Sequence, residues 1–576
     1  MKIPNINEII RYLLVPLLML IVYCGLFIVI HPIFLDDGVN YFFTKRLFRF
    51  SLLFLIMVIG LIIISKIHTR SQKISLIQSS DRIKAHHFIL MLIPLSPVMQ
   101  YIISNNESLS LLNSLAVISF FTIFCCVNIL FIPFLLQKIS SARILVSLGT
   151  AFTFTLLTMA SLSKQFSWLK FGSIKIQIPV LVITFGLIWL LLGLKKSKDI
   201  IFIVILFFSI SSFYHLMSVP RDSQASTSFT IEKNSELQSL AMNGNVARTP
   251  NIYLLVYDAY VTNETMQSYG IENSQQEEYL VSMGFTHYPK TYSIGADTIN
   301  TMSRVLNASD QYFGNARKAV SGDGVVQNTL KGMGYETFGI FPYDYLFRDV
   351  GSSYDYSIPD KPKSTAFYLI SAILTGEFRF DLFEINFNAI SHDEYVFEKQ
   401  RILTSISDDQ VFIYSHSSLP NHSQNSGKCL HNEIDLFEER LRKANIEMRQ
   451  DIEIILKNDP DSIIVIAGDH GPYLTKNCTD TKDFYQSSDI DRKDLQDRFG
   501  TFLAIRWPSE DFDLFDDISV IQDLFPVIFA YLYEDDTFLH LTVNPETLYS
   551  VSGVTVSNGI IQGGINDGEP LFLTEQ

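Results

Sequence analysis

The chain has 576 residues, 48% of them hydrophobic, and a mean hydropathy of +0.22; soluble proteins of that size are rarely so apolar, and the length suggests more than one domain. Residues 1–218 hold 18 Lys+Arg against 6 Asp+Glu, whereas the remainder holds 26 against 53. An acidic remainder excludes nucleic acid as a partner, since phosphate backbones demand basic surfaces, and a basic apolar half joined to an acidic half of ordinary polarity reads as a membrane anchor plus a soluble domain.

In chain order, seven hydrophobic spans are expected, near 9–34, 50–65, 87–103, 111–137, 143–163, 176–194 and 200–218. Each is close to the length that crosses a bilayer as a helix. Pro94 and Pro97 weaken the third. The first is too long for a signal peptide, lacks a small-residue cleavage site and is followed by more spans. Basic residues in short loops mark the cytoplasmic side. They follow the second span (Lys66, Arg70, Lys73, Arg82, Lys84), the fourth (Lys138, Arg143) and the sixth (Lys195, Lys196, Lys198). The N-terminus is then cytoplasmic and the soluble half extracytoplasmic, although Lys45, Arg46, Arg49, Lys164, Lys170 and Lys175 fall on the opposite side. The anchor occupies 1–218 in a multi-pass arrangement. Residues 219–250, rich in Ser, Asn, Gln and Thr without apolar period, read as an extended or loosely ordered linker.

From 251 to 576 the pattern changes to α/β. Short continuous apolar runs at 251–257 (NIYLLVY), 411–414 and 462–467 (SIIVIA) indicate strands buried on both faces. A helix is expected over 432–457, where Ile434, Phe437, Leu441, Ala444, Met448, Ile452 and Ile455 recur at spacings of three and four. Alternating strands and helices give a doubly wound, largely parallel sheet, whose ligands sit beyond the carboxyl ends of the strands. Asp258, Asp469 and His470 all stand at such ends.

The order of motifs is Asp258 after a strand, Thr298 in SIGADTINTMSRVLN, His416 and His422 in YSHSSLPNHS, then GDHG at 468–471. In this the sequence resembles the alkaline phosphatase and sulfatase superfamily, and more narrowly its membrane-bound phosphotransferases, such as lipoteichoic acid synthases and lipid A phosphoethanolamine transferases. The resemblance implies an alkaline-phosphatase-like catalytic domain that binds a divalent metal ion (Mn, Mg or Zn) through Asp258, Asp469, His470 and Thr298. Two carboxylates and an imidazole suit such a cation. Thr298 would be the nucleophile, forming a phospho-threonine at a helix N-terminus, and His416 or His422 would face the substrate, binding the phosphate, holding a second metal or protonating the leaving group. The sulfatase Cys/Ser-x-Pro-x-Arg motif is absent: the region reads Asp297-Thr298-Ile299-Asn300-Thr301.

The expected function is transfer of a phosphoglycerol- or phosphoethanolamine-type head group from a membrane phospholipid to a cell-envelope glycan or lipid, at the cytoplasmic (inner) membrane and on its outer side. The alternatives are a membrane-tethered phosphodiesterase, phosphatase or sulfatase-like hydrolase, and a non-catalytic binding protein on the same fold. Thr301 is the rival nucleophile. His431 and Asn432 read as helix caps, and Asp344, Arg348 and Arg506 as possible contacts to an anion. Cys429 and Cys478 are the two cysteines of the soluble half, and an oxidising compartment would pair them. Cys24, Cys125 and Cys126 lie in apolar runs.

Overall fold

Strand β1 (Ile252–Tyr257) is buried along its whole length. Its residues divide by parity: Ile252, Leu254 and Val256 face one hydrophobic cluster, and Tyr253, Leu255 and Tyr257 face another. A strand apolar at every position therefore needs cover on both sides. In the computed structural model the described residues are 85–104, 111–136, 142–165, 174–193, 201–203, 205–207, 235–311, 316–343, 353–359, 366, 370, 373, 390–406, 410–423, 430–478 and 485–574.

The strands β2 (Thr286–His287), β3 (Glu336–Ile340), β4 (Tyr356–Ile358), β5 (Val411–Ser417), β6 (Ile463–Gly468) and β7 (Leu503–Arg506) join β1 in a seven-stranded sheet of order β2-β7-β6-β1-β5-β3-β4. The block β6-β1-β5-β3-β4 is parallel, and β7 and β2 add antiparallel at one edge. One face is covered by the helix Leu524–Tyr533, all of whose residues are buried. The other is covered by Glu433–Asn458 through Phe437, Leu441, Ala444, Met448, Ile452 and Ile455, with His392–Ser405 beside it. This is the expected doubly wound arrangement. Ile434, expected on the apolar stripe, is instead 36% exposed. It sits in the first turn of its helix, beyond the turns that bury Phe437 onward.

The chain divides into two units, Met1–Ser223 with Pro362–Asn388, and Gln224–Lys361 with Ala389–Gln576. The stretch expected to be an extended or loosely ordered linker, 219–250, contains the helix Ser235–Asn243. Leu237 and Ala241 bury against the main core, so tertiary packing orders a segment whose composition alone reads as polar coil. In the first unit, Leu111–Leu135 is one helix long and apolar enough to cross a membrane. Further apolar helices, Leu92–Ser104, Ala142–Gln165 and Ile174–Gly193, stand where spans were expected. Helix Ala142–Gln165 packs closely at Gly149, where a Cβ would lie 2.2 Å from the Asn128 carbonyl oxygen. Side chains such as Leu112, Ile123, Phe134, Val182 and Leu187 remain exposed, leaving apolar helix faces uncovered within the chain. The spans expected at 9–34 and 50–65 lie outside the described residues.

Candidate metal centre

The register of the sheet builds the site. Tyr257 on β1 is level with Gly468 on β6, so the next residues, Asp258 and Asp469, emerge side by side. Val256 is level with His416 on the other neighbour, β5. All three acidic and imidazole side chains thus stand at the carboxyl ends of adjacent central strands, where ligands bind in open parallel sheets. His416 lies within β5, which runs three residues past the expected Val411–Tyr414 run.

Both glycines of GDHG are required by close approach. A Cβ on Gly468 would lie 1.8 Å from the Tyr260 carbonyl oxygen, and one on Gly471 would lie 1.9 Å from that of Asp497. No side chain fits either position. Three other residues near the site hold left-handed backbone, Ala259 (φ 62), Asn421 (φ 66) and Tyr473 (φ 56). Such conformations cost energy in non-glycine residues and gather where geometry is constrained by function. At Ala259 the turn directs the amide to Asp469 Oδ1, at 2.9 Å.

Asp258, Asp469 and His470 are buried, and one ligand atom from each lies within 4.8 Å of the others. His470 Nε2 is 3.6 Å from Asp258 Oδ1 and 3.4 Å from Asp469 Oδ2. Asp469 Oδ1 accepts from the amides of Ala259 and His470. By contrast, Asp469 Oδ2 and Asp258 Oδ1 are buried with no hydrogen-bond partner among the described residues. Buried carboxylate oxygens without partners are costly, and two of them beside one imidazole fit a divalent cation bonded at about 2.0–2.6 Å to each donor. Burial and the neighbouring Asp469 charge push the Asp258 carboxyl up to about 8, a congestion that a bound cation relieves. His470 Nδ1 donates to the Gly471 carbonyl oxygen at 2.8 Å. That bond selects the tautomer with a lone pair on Nε2, the arrangement of a ligating histidine.

Thr298 is the first residue of the helix Thr298–Val305, whose N-cap is Asp297, accepting from the Asn300 amide at 2.9 Å. Its buried hydroxyl is 3.3 Å from His470 Nε2. Thr301, the rival, faces elsewhere: its hydroxyl bonds Ser293 Oγ at 2.8 Å. His416 is buried, with Nε2 3.6 Å from Asp469 Oδ2 and Nδ1 2.9 Å from the Tyr414 hydroxyl. Burial, opposed by the Asp469 charge, pushes it down to about 4. The His422 ring centroid is 5.8 Å from that of His470, and its Nδ1 donates to the Ser423 carbonyl oxygen at 2.9 Å. Burial lowers its pKa too, so both imidazoles are neutral at physiological pH. The six expected site residues thus converge.

No family profile and no curated protein matches the chain. Solved structures do. The chain is similar to the C-terminal periplasmic domain of EcEptC from Escherichia coli in complex with Zn, at 13% identity and a TM-score of 0.33, over 50% of this chain and 85% of that one. It is similar to a protein in the alkaline phosphatase superfamily from Vibrio parahaemolyticus, at 13% identity and a TM-score of 0.35, over 59% and 85%. It is also similar to the lipoteichoic acid synthase LtaP from Listeria monocytogenes, at 12% identity and a TM-score of 0.34, over 58% and 89%. At such identities and TM-scores likeness assigns no activity, and the functional reading rests on this chain's own donor set.

Three residues around the site were not anticipated. Tyr473 stacks on His470, and Arg498 lies over Tyr473. Arg440 donates to the carbonyl oxygens of Pro420 and His422, holding the loop that carries His422. Arg440 and Arg498 lie far along the chain from every motif, and Tyr473, just past GDHG, belongs to none. Arg506, expected as a possible anion contact, pairs with Ile464 near the start of β6, at the end of the strand away from Asp469, and donates to the Pro460 carbonyl oxygen. Asp344 and Arg348 lie outside the described residues. Cys478 is disulfide-bonded; Cys429 lies outside the described residues, and their pairing is a proposal. Cys125 and Cys126 are free.

Proposed function

We propose that this chain is a multi-pass enzyme of the cytoplasmic membrane whose extracytoplasmic domain moves a phosphorus-containing head group, of phosphoglycerol or phosphoethanolamine type, from a membrane phospholipid to a cell-envelope glycan or lipid. The observation that carries the reading is a buried threonine hydroxyl at the first position of a helix, 3.3 Å from the imidazole of a two-carboxylate, one-histidine donor set. Asp258, Asp469 and His470 would hold the cation, Mn, Mg or Zn. When bound, it supplies Lewis-acid charge that polarises a phosphoryl oxygen and acidifies a hydroxyl beside it.

The residues carry the rest. Thr298 Oγ1 gives its proton to the neutral His422 imidazole and forms a bond to phosphorus as the bond from phosphorus to the diacylglycerol oxygen breaks, and the departing oxygen takes that proton from His422. The start of the helix, where Thr298 stands, favours the negative charge of the phosphoryl group. An acceptor hydroxyl then attacks the phospho-threonine and regenerates Thr298. His422, neutral and with Nε2 as its acceptor atom, takes the proton of that hydroxyl and passes it to the released Thr298 Oγ1. His416 stays beside Asp469, its Nε2 3.6 Å from Oδ2. An anchor in the membrane that holds the donor lipid favours transfer over hydrolysis.

The test is to incubate the purified full-length protein with vesicles of labelled phosphatidylglycerol and phosphatidylethanolamine. Diacylglycerol release and a phosphoryl adduct on the Thr298 peptide are expected, with release rising when an acceptor is added. Thr298→Ala should fold and hold metal yet lose turnover by about 10³-fold or more. Near-normal turnover in that variant, or an adduct on Thr301, overturns the assignment. Release that proceeds with water alone, unaffected by any acceptor, makes the enzyme a phosphodiesterase.

A further inference from the structure

Tyr473 lies three residues after His470, in a conformation that an aromatic residue rarely adopts, φ 56. Its ring is stacked on the His470 imidazole, with centroids 5.0 Å apart and planes 9° apart. Its hydroxyl donates to the carbonyl oxygen of Ala296, two residues before Thr298 and next to the helix cap Asp297. The His422 ring packs on it at 5.3 Å, and the Arg498 guanidinium carbon stands 4.4 Å from its centroid. The segment that follows is clamped by the buried Asp497 carboxylate. It accepts from the amides of Leu474 and Thr475 at 2.7 and 3.2 Å, from the Thr475 hydroxyl at 2.9 Å and from Asn477 Nδ2 at 2.9 Å. One side chain therefore touches both halves of the site through two different groups, its ring on the metal-ligand loop and its hydroxyl on the nucleophile turn.

We propose that Tyr473 is a positioning residue that sets the distance between the nucleophile turn and the His470 imidazole. The inference rests on Thr298 being the nucleophile. The Nδ1 bond to Gly471 fixes the tautomer of His470 but leaves the ring free to tilt, and a flat phenol against it removes that freedom. The hydroxyl bond then ties Ala296, and with it Thr298, to the same rigid body. Strain at Tyr473 is offset by these contacts and by the Asp497 clamp. Rates depend steeply on such placement, since a displacement of about 1 Å costs about 100-fold.

The experiment compares the wild-type full-length protein, Tyr473→Phe and Tyr473→Leu, all metal-loaded. Tyr473→Phe keeps the stacking and removes only the tether. It should accelerate amide exchange in the peptide spanning 294–301 and slow formation of the Thr298 adduct from phosphatidylglycerol and phosphatidylethanolamine vesicles by about 10–100-fold. KM, metal content and melting temperature should stay within about twofold or a few degrees of wild type. Tyr473→Leu should lose metal affinity as well. Unchanged exchange in Tyr473→Phe overturns the tether. Faster exchange with an unchanged adduct rate overturns the positioning role. If wild type forms no adduct at Thr298, the proposed function falls, and the exchange measurement still decides whether Tyr473 holds the turn.

Discussion

Asp469 uses its two oxygens differently, and that difference is testable. Oδ1 is spent on the amides of Ala259 and His470, whereas Oδ2 is buried with no hydrogen-bond partner among the described residues. Asparagine can still present an oxygen to the amides, so Asp469→Asn should preserve the turn and remove the charge. Metal affinity should fall by more than the about 10–100-fold that loss of an outer partner costs, with activity falling alongside. Elemental analysis after dialysis against metal-free buffer checks this, and a variant that retains its metal removes Asp469 from the ligand set. GDHG announced this site in the sequence because its residue types admit few other uses together. The reason for its glycines was hidden there. The atoms they avoid, the carbonyl oxygens of Tyr260 and Asp497, come from a different strand end and a different helix.

Among the elements, β5 shows why a strand can be underread. Its last three residues, Ser415, His416 and Ser417, are polar and look like a loop, yet all are buried. Their polar atoms are satisfied sideways. Ser415 Oγ meets the Tyr395 hydroxyl at 2.7 Å and Ser417 Oγ donates to Glu447 Oε2 at 3.2 Å. Behind them Lys399, 1% exposed, pairs at 2.5 Å with both Glu447 and Asp451. Tyr257 donates to Asp451, the rings of Tyr257 and Tyr395 flank the ammonium, and His392 stands 3.2 Å from Glu447. Lys399→Met should leave two buried carboxylates facing each other, at a cost of about 3–5 kcal/mol. The pH dependence has a definite sign. Burial first, and then Glu447, push Asp451 up to about 6 despite Lys399. Its contribution to stability is therefore present below its unfolded value of about 4 and lost as pH rises through about 6. Glu447 is opposed by burial but held low by Lys399 and His392, so its contribution is present above about 4.3 and lost only as pH falls through its depressed value. Without the lysine, the deficit of the variant should be largest above pH 6 and shrink towards pH 5, where protonation relieves the repulsion. Melting curves at pH 5 and pH 8 decide it, and an equal deficit at both would show that packing, not charge, is what Lys399 supplies.

For the whole molecule, the charge pattern of the loops predicts that the soluble half is extracytoplasmic, and a disulfide at Cys478 fits an oxidising compartment. A C-terminal reporter that fluoresces only in the cytoplasm should stay dark, and a non-reducing digest should link Cys478 to the Cys429 peptide. A bright fusion reverses the topology and removes the access to outer-leaflet acceptors that the proposed function needs.

Periodicity was sufficient for the central strands, the long helix and the doubly wound class, because burial on two faces leaves an apolar run that no surface strand tolerates. It also placed Asp258 and Asp469 at strand ends, but their reading as candidate ligands, with His470, came from GDHG and the resemblance it carries, not from periodicity. It could not order Ser235–Asn243, whose buried Leu237 and Ala241 gain their cover from residues distant in the chain. Nor could it show which hydroxyl lies beside His470, that of Thr298 or that of Thr301, three residues apart on one helix. That choice lay with Ser293, which takes up the Thr301 hydroxyl, and with the register between β1 and β6, which brings His470 to the other. Spacing along a chain reports which face a residue occupies; which atoms meet there is decided by strands and loops that arrive from elsewhere.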